Sequence, residues 1–575
     1  IAFLGDEGPV VVDIDGDAVM PSAVGLAPGG ELIVGRAAKN QMVSHPESTI
    51  LSIKRRMGES SNIALGEKQL SPEEVSSLIL RQLAGHAGAA IGAEVRKAVI
   101  TVPAYFNERQ REATRNAGEL AGLEVARIIN EPTAAAMAYE AGHEGDRTIL
   151  VYDLGGGTFD ASLVVVNKGV VEVKASHGDT KLGGDDFDQL LARRVAEEFE
   201  SKHGVGIGED PGTLRRLWVA SEKAKRHLSD NPYARIREEL FLGDLHLDVE
   251  VSRMEYEEMI TPLLRRARDC VHRCLRDGGV LPGQVDEVIL VGGSSRTPLV
   301  HNLLAEDLGK QPRYEVNPDL IVAMGAAIQA GVVGGMPAKA VLVDITPYTF
   351  GTSAIGEHQG SLTPGVFVPL IRRNTPLPTT KSEAFDTVTD KQESVEVEVY
   401  QGEKELAREN TFVGSFMVHG LSRVPAGNTV VLTMKLDVNG MLEVTAVEKR
   451  TGLSKSVTMD TREGESRLDM EHARRNLADW TRPPAGEGGE AVDAEFWQAE
   501  EETLSTPGAD RTDEITRAKD LRKRAERLLP GVSGEDAAEV RALLDSAARA
   551  IGSSDMRALG ECNESLSDMI FYLED

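Results

Sequence analysis

The segment Val151–Asp160 constrains the fold of this chain more than any other stretch. It reads Val-Tyr-Asp-Leu-Gly-Gly-Gly-Thr-Phe-Asp and overlaps the apolar run Thr148–Tyr152, which predicts a buried strand. Three consecutive glycines let backbone N–H groups approach a phosphate without interference from a Cβ atom. The carboxylates of Asp153 and Asp160 cannot cradle a phosphate, because like charges repel, but they can position water or hydrated magnesium on a nucleotide. The segment therefore predicts a nucleotide site, and a glycine-rich turn between two strands is the simpler alternative.

The length and composition limit the class of protein. A chain of 575 residues is too long for one hydrophobic core, so we expect two to four domains. The net charge of −29 argues against nucleic acid or an anionic membrane surface as the main partner. No apolar run approaches the ~20 residues that span a bilayer, and three cysteines (Cys270, Cys274 and Cys562) are too few for a disulfide framework. These features predict a cytoplasmic protein with no nucleic-acid or membrane partner.

The first 336 residues have the pattern of an α/β fold, in which strand-like and helical runs alternate. Lys97–Pro103 and Glu287–Val291 are predicted as further buried strands. The first of them leads through a turn into the helical sequence Glu108–Ala121. We therefore expect one α/β domain over 1–336.

The composition changes after a Gly-Gly-Met-Pro break at 334–337. The short apolar segment Val341–Asp344 follows the break and predicts a linker over 337–345. Residues 346–461 alternate between polar and apolar side chains, most clearly in Ser394–Tyr400. Alternation with a period of two is typical of half-buried strands, so this region is predicted to be an antiparallel β domain.

The C-terminal part of the chain combines two compositions. Residues 481–510 are rich in Pro, Gly and Glu and read as a flexible segment. Residues 512–575 carry apolar side chains at helical spacing, for example at Val540 and Leu544, and predict a bundle of antiparallel helices. We therefore expect a divergent, flexible stretch over 462–511 and a helical bundle after it.

Four motifs occur in one order at definite spacings: the glycine-rich segment, Val99–Asn107, Ile128–Thr133 and Val288–Arg296. Together they resemble the 70-kDa heat-shock protein chaperone family, and within it the bacterial DnaK type. Any one motif alone would indicate only the larger superfamily of actin-like ATPases and sugar kinases. The apolar linker and the β domain narrow the resemblance to the chaperones. The resemblance is good from residue 1 to about 461 and looser over the last 60 residues or so.

The resemblance implies a multidomain fold and a chaperone function. The fold comprises a two-lobed α/β domain of the actin-like (ribonuclease H-like) ATPase type, an antiparallel β-sandwich that grips extended peptide, and an α-helical bundle that acts as a lid. ATP hydrolysis to ADP and phosphate would switch peptide affinity through the linker. The implied cofactors are ATP/ADP and Mg²⁺, with K⁺ as a further candidate ion. The implied partners are unfolded or extended client peptides, a J-domain co-chaperone and a nucleotide exchange factor, and the chain is expected to act as a monomer.

Five residues match the family's catalytic positions: Lys54, Glu131, Asp153, Thr158 and Asp160. By resemblance, Lys54 reaches the transferring phosphate, where its charge would offset negative charge that develops on the γ-phosphoryl oxygens. Glu131 helps to orient the attacking water, Thr158 offers a hydroxyl beside the γ-phosphate, and Asp153 and Asp160 organise Mg²⁺ through water. Taken alone, Lys54 reads as part of a solvated basic helix face, and Glu131 as the start of a helix.

A second set of residues matches the nucleotide-binding positions of the family. Its members are Gly155, Gly156, Gly157, Glu222, Lys225, Ser229, Gly292, Gly293, Arg296 and Asp319. Glu222, Lys225 and Ser229 lie at i, i+3 and i+7, which places them on one face of a helix that the family uses for the ribose and adenine. Without the resemblance this face reads as solvated surface. Arg296 follows two glycines, where its guanidinium can stack on adenine.

A third set matches positions that couple the domains: Pro103, Arg111, Arg127, Asn130, Val341, Leu342, Val343 and Asp344. Pro103 and Arg111 resemble a switch that senses the nucleotide, and the apolar linker is predicted to transmit its state by docking or undocking. Arg127, Asn130 and Asp344 resemble positions that contact the J-domain co-chaperone. Lys339 stands where an acidic residue is usual, so the response to the co-chaperone is expected to differ.

In the β domain, six residues match the family's peptide pocket and arch: Ile355, Phe385, Thr387, Val388, Val395 and Val397. An aliphatic pocket discriminates weakly between side chains, which predicts broad specificity for apolar segments. The alternative is that these residues are core of the sandwich. The family's basic latch between lid and sandwich falls at Ala426, and the first lid helices give way to the Pro/Gly/Glu segment around 481–492, so we expect weak lid closure.

The N-terminus leaves a second hypothesis open. The family's first phosphate loop, an acidic residue followed by threonines, has no counterpart before Ile1. We expect residues encoded upstream to supply it. A protein that truly began at Ile1 would instead be a peptide holdase that binds nucleotide but hydrolyses it weakly. An actin-like filament protein or a sugar kinase is a third hypothesis, and it leaves residues 340–575 unexplained.

Overall fold

The computed structural model describes residues 1–141, 143, 145–312, 317–337, 341–458 and 468–481. Within the chain, Ile1–Arg482 forms one compact unit. The predicted bundle at 512–575, the Pro/Gly/Glu segment and Lys339 lie outside the described residues.

The elements up to residue 343 alternate between strands and helices. The strands are β1 (Ala2–Gly5), β2 (Gly8–Val11), β3 (Ala23–Leu26), β4 (Leu32–Val34), β5 (Thr49–Leu51), β6 (Ile63–Leu65), β7 (Lys68–Leu70), β8 (Lys97–Val102), β9 (Glu124–Asn130), β10 (Arg147–Leu154), β11 (Phe159–Asn167), β12 (Val170–Asp179), β13 (Tyr233–Leu242), β14 (Leu245–Ser252), β15 (Glu287–Val291) and β16 (Val341–Val343). The α-helices are α1 (Arg36–Gln41), α2 (Pro72–Ile91), α3 (Glu108–Leu120), α4 (Glu131–Glu140), α5 (Gly184–His203), α6 (Pro211–Asp230), α7 (Arg253–Asp277), α8 (Pro298–Leu308) and α9 (Ile321–Val333). Short 3₁₀ helices are Pro46–Ser48, Ile53–Arg56, Pro282–Gln284 and Gly293–Arg296.

The elements after residue 343 are strands with one short 3₁₀ helix and one terminal α-helix. They are β17 (Phe350–His358), β18 (Ser361–Ile371), β19 (Thr379–Asp386), β20 (Ser394–Gln401), the 3₁₀ helix Ala407–Glu409, β21 (Thr411–His419), β22 (Thr429–Leu436), β23 (Leu442–Glu448), β24 (Ser454–Thr458) and α10 (Met470–Thr481).

A five-stranded sheet in the order β15-β10-β11-β12-β16 forms the centre of the α/β region. The hairpin of β10 and β11 is antiparallel and places Asp153 opposite Asp160, whereas β15 runs parallel to β10. Alternate side chains of β10 point to opposite faces of the sheet. Leu150 packs towards α5, α6 and α7, and Val151 towards α4 and α9, so both faces of the sheet are covered.

Smaller sheets and helices form the lobe on the other side of the glycine hairpin. The strands β8 and β9 are parallel and pack with α3, while β3 to β7 pack with α2. The prediction of a buried strand at Lys97–Pro103 is right in type but wrong in burial, since only Val102 of β8 is fully covered. The reason is that β8 belongs to a two-stranded sheet, whereas β10 and β15 lie inside the large one.

The predicted antiparallel β region is confirmed up to Thr458. It consists of two four-stranded sheets in the orders β18-β17-β20-β21 and β19-β22-β23-β24. Their inner faces share one apolar core, which includes Phe350, Val399, Met434 and Val444. The two sheets therefore form a sandwich.

Two segments connect the sandwich with the α/β region. The linker strand β16 extends the large sheet by pairing in parallel with β12. Helix α10, which the sequence features did not single out within 462–511, packs Ala473 and Leu477 into the core of α2 and β7. The Lys68 ammonium lies 3.0 Å from the Asp479 carboxylate and 4.6 Å from the centre of the Trp480 ring. The stretch 462–511 therefore contains a docked helix before the Pro/Gly/Glu segment.

Candidate active site

The glycine hairpin is both a turn between two strands and one wall of a cleft. The Gly155 N–H donates to the Thr158 carbonyl at 3.2 Å and closes the turn. The first N–H groups of α5, from Gly184 and Asp185, donate to the carbonyls of Gly155 and Gly156 at 2.9 and 2.8 Å. A Cβ atom on Gly183 would lie 2.4 Å from the Gly156 carbonyl oxygen, so this approach requires glycine. The segment is therefore a glycine-rich turn between two strands, and this turn can also be part of a nucleotide site.

An acidic cluster lies beside the hairpin. Asp153, Thr158 and Asp160 are 7%, 8% and 1% exposed, and Asp160 accepts the Tyr105 N–H at 3.2 Å. Burial raises the pKa of Asp153 to about 7, with a further contribution from the charge of Glu131 and an opposing one from Lys54. Burial, Asp153 and Glu131 raise the pKa of Asp160 well above its usual range. The positive charge of Lys54 offsets these effects only in part.

Lys54 and Glu131 face each other across the cleft. The Lys54 ammonium donates to the Glu131 carboxylate at 2.6 Å, although 77 positions separate the two residues. Removal from water lowers the pKa of Lys54, but the charges of Glu131, Asp153 and Asp160 outweigh this and raise it. Glu131 is the first residue of α4, with Pro132 at the next position. The Lys54 side chain stays 48% exposed, so it is both solvated and paired with Glu131. Glu131 begins α4, as predicted for a helix start.

The predicted nucleotide-binding residues other than Gly155 and Gly292 line one cavity together with Lys54, and its volume is about 1480 Å³. Glu222, Lys225 and Ser229 share one face of α6, as predicted. Glu222 is not solvated surface, since its carboxylate binds the Lys39 ammonium of the opposite lobe at 2.9 Å. The Lys225 ammonium donates to Asp188 at 2.8 Å.

Arg296 and Asp319 form an ion pair at the far end of the cavity. The Arg296 guanidinium donates to the Asp319 carboxylate at 2.8 Å and to the Asn317 side chain at 3.1 Å. Gly292 has φ of +79°, and a Cβ atom there would lie 2.5 Å from the Leu154 carbonyl oxygen. The Gly292–Gly293 turn can therefore approach the glycine hairpin only because it lacks side chains.

The donor set of the cleft fits a magnesium–nucleotide complex. Carboxylate oxygens are the ligands that Mg²⁺ prefers, and Asp153 and Asp160 offer them at the two ends of the glycine turn. Burial and neighbouring carboxylates raise the pKa of both groups, and a bound cation would offset these effects. In addition, one buried oxygen of Asp188 at the floor of the cleft has no hydrogen-bond partner among the described residues.

The sequence features do not single out several residues of the cleft. Ser52 and Lys39 bind across the cleft, Asp188 binds Lys225 within one lobe, and Arg55 contacts the glycine hairpin itself. Each is an ordinary polar residue in its local sequence, and its partner lies more than 30 positions away. The only local signal is the proximity of Ser52 and Arg55 to Lys54.

The predicted coupling residues form a buried network between the α/β region and the linker. The Arg111 guanidinium donates to the Asn130 side-chain oxygen at 2.5 Å, and the Asn130 amide donates to Asp344 at 2.9 Å. Burial raises the pKa of Asp344, while these partners oppose the rise. Pro103 is buried near the start of α3. Leu342 packs on the core, Val343 is half-buried, and Val341 is 60% exposed.

The three residues predicted to contact the co-chaperone differ in their exposure. Asn130 and Asp344 are 5% and 8% exposed, so in this conformation their side chains bind each other and cannot form a surface contact. Arg127 is half-buried on β9. Burial lowers the pKa of its guanidinium, and the negative charges of Asp344 and Asp437 oppose this shift. Arg127 is thus the one member of this group that keeps partial access to a partner.

The predicted peptide-binding residues separate into two groups. Ile355 and Val388 are 52% and 62% exposed, as a pocket for peptide requires. Val397 lies in the sandwich core, as the alternative prediction has it. Thr387 is also buried, and its hydroxyl accepts the Asn428 N–H. Phe385 and Val395 are half-buried and pack against this core. The first pair is therefore on the surface, and the other four residues are buried or half-buried.

The chain thus combines a two-lobed α/β region that encloses a polar cleft with an attached β-sandwich. The chain matches the family model described as Hsp70 protein over residues 2–570, and it therefore belongs to the Hsp70 family. Two relatives named Chaperone protein DnaK, from two strains of Thermus thermophilus, are each 43% identical over 544 residues. The match covers 88% of this chain and 87% of each relative. The resemblance to the bacterial type is confirmed, and the chain is an ATP-dependent chaperone with ATPase activity, which sets aside the holdase and sugar-kinase hypotheses.

The helices also bear on membrane association. Over the part of the chain that the structure describes, every helix is too short or too polar to cross a bilayer.

Proposed function

We propose that the cleft binds magnesium–ATP and that Lys54 and Glu131 carry its hydrolysis. The phosphates would lie along the N–H groups of Gly155–Thr158, with the ribose and adenine between α6 and Arg296. The Lys54 ammonium would stabilise charge that develops on the γ-phosphoryl oxygens. The Glu131 carboxylate would accept a hydrogen bond from the attacking water and orient it, and the Thr158 hydroxyl would donate to the phosphate. Mg²⁺, held through water by Asp153 and Asp160, would neutralise phosphate charge, and K⁺ is a further candidate ion.

One observation carries the coupling of this site to peptide. Asn130, which binds Asp344 of the linker, is the residue directly before Glu131, which faces Lys54. A change in the cleft that moves the start of α4 must therefore act on the linker contact, and a change in the linker must act on Glu131. The docked linker strand also ties the sandwich to the large sheet through β12. This arrangement supports ATP-dependent switching between fast and slow peptide exchange.

The finer organisation of the chain follows from the same proposal. An ATPase domain at 1–336, a linker at 337–345, a peptide-binding sandwich at 346–461 and a lid at 512–575 would act together as a monomer in the cytoplasm. Ile355 and Val388 would contact extended apolar peptide. A J-domain co-chaperone and a nucleotide exchange factor would set the pace of the cycle.

Peptide stimulation of ATP turnover tests the proposed function. A heptapeptide with a central leucine should raise the steady-state ATPase rate of the full-length protein, because peptide binding would disturb the docked linker and through it Glu131. A charged heptapeptide of the same length is the control. An ATPase rate that does not change when the apolar peptide is present at saturating concentration would contradict the coupling.

A pH dependence of docking is expected at the contact between α3 and the sandwich. Glu108 is 3% exposed, and a Cβ atom on Gly440, in the turn after β22, would lie 4.0 Å from its carboxylate. Burial raises the pKa of Glu108 to about 8; Arg111 opposes the shift, and Glu112 and Asp437 add to it. Undocking of the sandwich would expose Glu108 and move Asp437 away from it, so the pKa of Glu108 is lower in the undocked state. Docking therefore takes up a proton. Docking should therefore be favoured at acidic pH and weaken as the pH rises through about 8.

Hydrogen exchange of the linker amides measures this effect. Protection of β16 in the wild-type protein should fall from the undocked pKa of Glu108 up to about pH 8, and more steeply than in Glu108→Gln, which cannot ionise. Glu119→Gln, at the exposed end of the same helix, is the matched control and should behave like the wild type. Identical pH profiles for the wild type and Glu108→Gln would contradict the assignment.

A further inference from the structure

Arg55 crosses the cleft from one lobe to the other. It lies in the 3₁₀ helix Ile53–Arg56, directly after Lys54. Its guanidinium makes a two-pronged contact with the Asp186 carboxylate on the opposite lobe, at 2.5 and 3.3 Å. The same guanidinium donates to the carbonyls of Gly157 and Gly156 at 2.9 and 3.4 Å. One side chain therefore binds the glycine hairpin and the start of α5 at once.

Ser52 makes a second link between the same lobes. Its hydroxyl donates to the Asp185 carboxylate at 2.8 Å, next to the Arg55 contact. The backbone of Ser52 has φ of +52°, in the left-handed region that residues other than glycine seldom adopt. Such a conformation persists only where the surroundings hold it. The Ser52 and Arg55 contacts therefore fix the 3₁₀ helix that presents Lys54.

The contacts of Arg55 also set the orientation of the phosphate hairpin. In a trans peptide group the C=O and the following N–H point in opposite directions. Because Arg55 holds the carbonyls of Gly156 and Gly157, the N–H groups of Gly157 and Thr158 must point away from it. The fit is tight, since a Cβ atom on Gly157 would lie 3.0 Å from the Arg55 Nε.

Asp186 anchors this arrangement to the second lobe. Its carboxylate also accepts the Gly183 N–H at 2.8 Å, at the beginning of α5. The planar fork of arginine can bind a carboxylate and neighbouring carbonyls together, whereas the point charge of lysine cannot reproduce that geometry. The contact therefore depends on the guanidinium and not only on a positive charge.

We propose that Arg55 is a positioning residue for ATP hydrolysis. It aligns the N–H groups of the glycine hairpin and, with Ser52, clamps the lobe that carries Lys54 onto the lobe that carries Asp186. The inference rests on the proposed function of the cleft. It assigns to Arg55 a role in the geometry of hydrolysis and in the retention of nucleotide.

The test compares Arg55→Lys and Arg55→Ala with Arg56→Ala in the full-length protein. Arg56 is the matched control, because its guanidinium binds only Glu59 and Ser61 on the surface among the described contacts. Single-turnover hydrolysis at saturating ATP should fall about 10- to 100-fold in both Arg55 variants, since misplaced reacting groups cost rates of this order. Dissociation of labelled ADP should accelerate in both, and Arg56→Ala should match the wild type in both measurements.

Asp186→Asn provides an independent arm. This variant keeps Arg55 and removes the charge that anchors it, so it should reproduce much of the fall in the hydrolysis rate. In the double variant with Arg55→Ala, the rate should fall by less than the product of the two single effects. Wild-type hydrolysis and ADP release in Arg55→Lys would overturn the inference while leaving the proposed function intact. A wild-type protein that neither binds nor hydrolyses ATP would overturn the proposed function itself. Thermal melting of each variant identifies any loss that comes from unfolding.

Discussion

Lys54→Ala should lower single-turnover ATP hydrolysis by about 100- to 1000-fold, the usual effect of removing one preorganised electrostatic group from a catalytic site. ATP affinity should change far less, because the Lys54 charge acts mainly on negative charge that develops in the transition state. The residue is suited to this role, since its ammonium is held at 2.6 Å by Glu131 and faces the hairpin acids. Rapid-quench hydrolysis and equilibrium titration with labelled ATP measure the two quantities separately.

Arg56→Ala is again the matched control for this prediction. Arg56 belongs to the same 3₁₀ turn and carries the same charge, yet it points to Glu59 outside the cleft. Its removal should leave hydrolysis unchanged. A Lys54→Ala variant that loses affinity and rate in equal proportion would show that Lys54 only binds nucleotide.

Leu342→Asp should abolish the stimulation of ATP turnover by peptide while basal turnover persists. Leu342 packs against the cores formed by α4, α9 and the large sheet. A carboxylate at this position would either lose its hydration in the docked state or force the linker to undock. Coupling between two sites commonly amounts to about 5- to 150-fold, so the stimulation factor should fall from that range to near one. The ATPase rate with and without the apolar heptapeptide measures it.

Val341→Asp is the control for the linker. Val341 belongs to the same strand but is 60% exposed, and its backbone N–H still donates to the Gly169 carbonyl at 2.8 Å. A charge there should leave the stimulation almost unchanged. If both variants lost stimulation equally, added charge and not loss of the Leu342 contact would explain the effect.

The local patterns of the sequence predict those parts of the fold that depend on nearby residues. The glycine hairpin follows from one ten-residue segment, and the sandwich follows from alternation that continues through several strands. Helix α10 was missed although Ala473 and Leu477 have helical spacing. A helix of 12 residues is marginal on its own, and packing on α2 and β7 stabilises this one.

The candidate site was predicted less completely, because its contacts join distant segments. Lys54 and Glu131 could be chosen by resemblance, but nothing in either segment shows that they meet. The pairing of Arg55 with Asp186 spans 131 positions, and neither residue has an unusual local context. Burial likewise separates Ile355 from Val397, although both occupy alternating strands. Long-range pairing and exposure are properties of the folded chain, and a single sequence contains no local signal for them.

Peptide release with and without magnesium–ATP tests the central claim most directly. A fluorescent apolar peptide would be bound to the full-length protein in the ADP state, and its dissociation followed in a stopped-flow instrument after mixing with buffer, ADP or ATP. ATP should accelerate release by about 5- to 150-fold, the range expected for coupled sites, whereas ADP should not. Equal release rates in all three mixtures would contradict the claim that the cleft and the sandwich act as one switch.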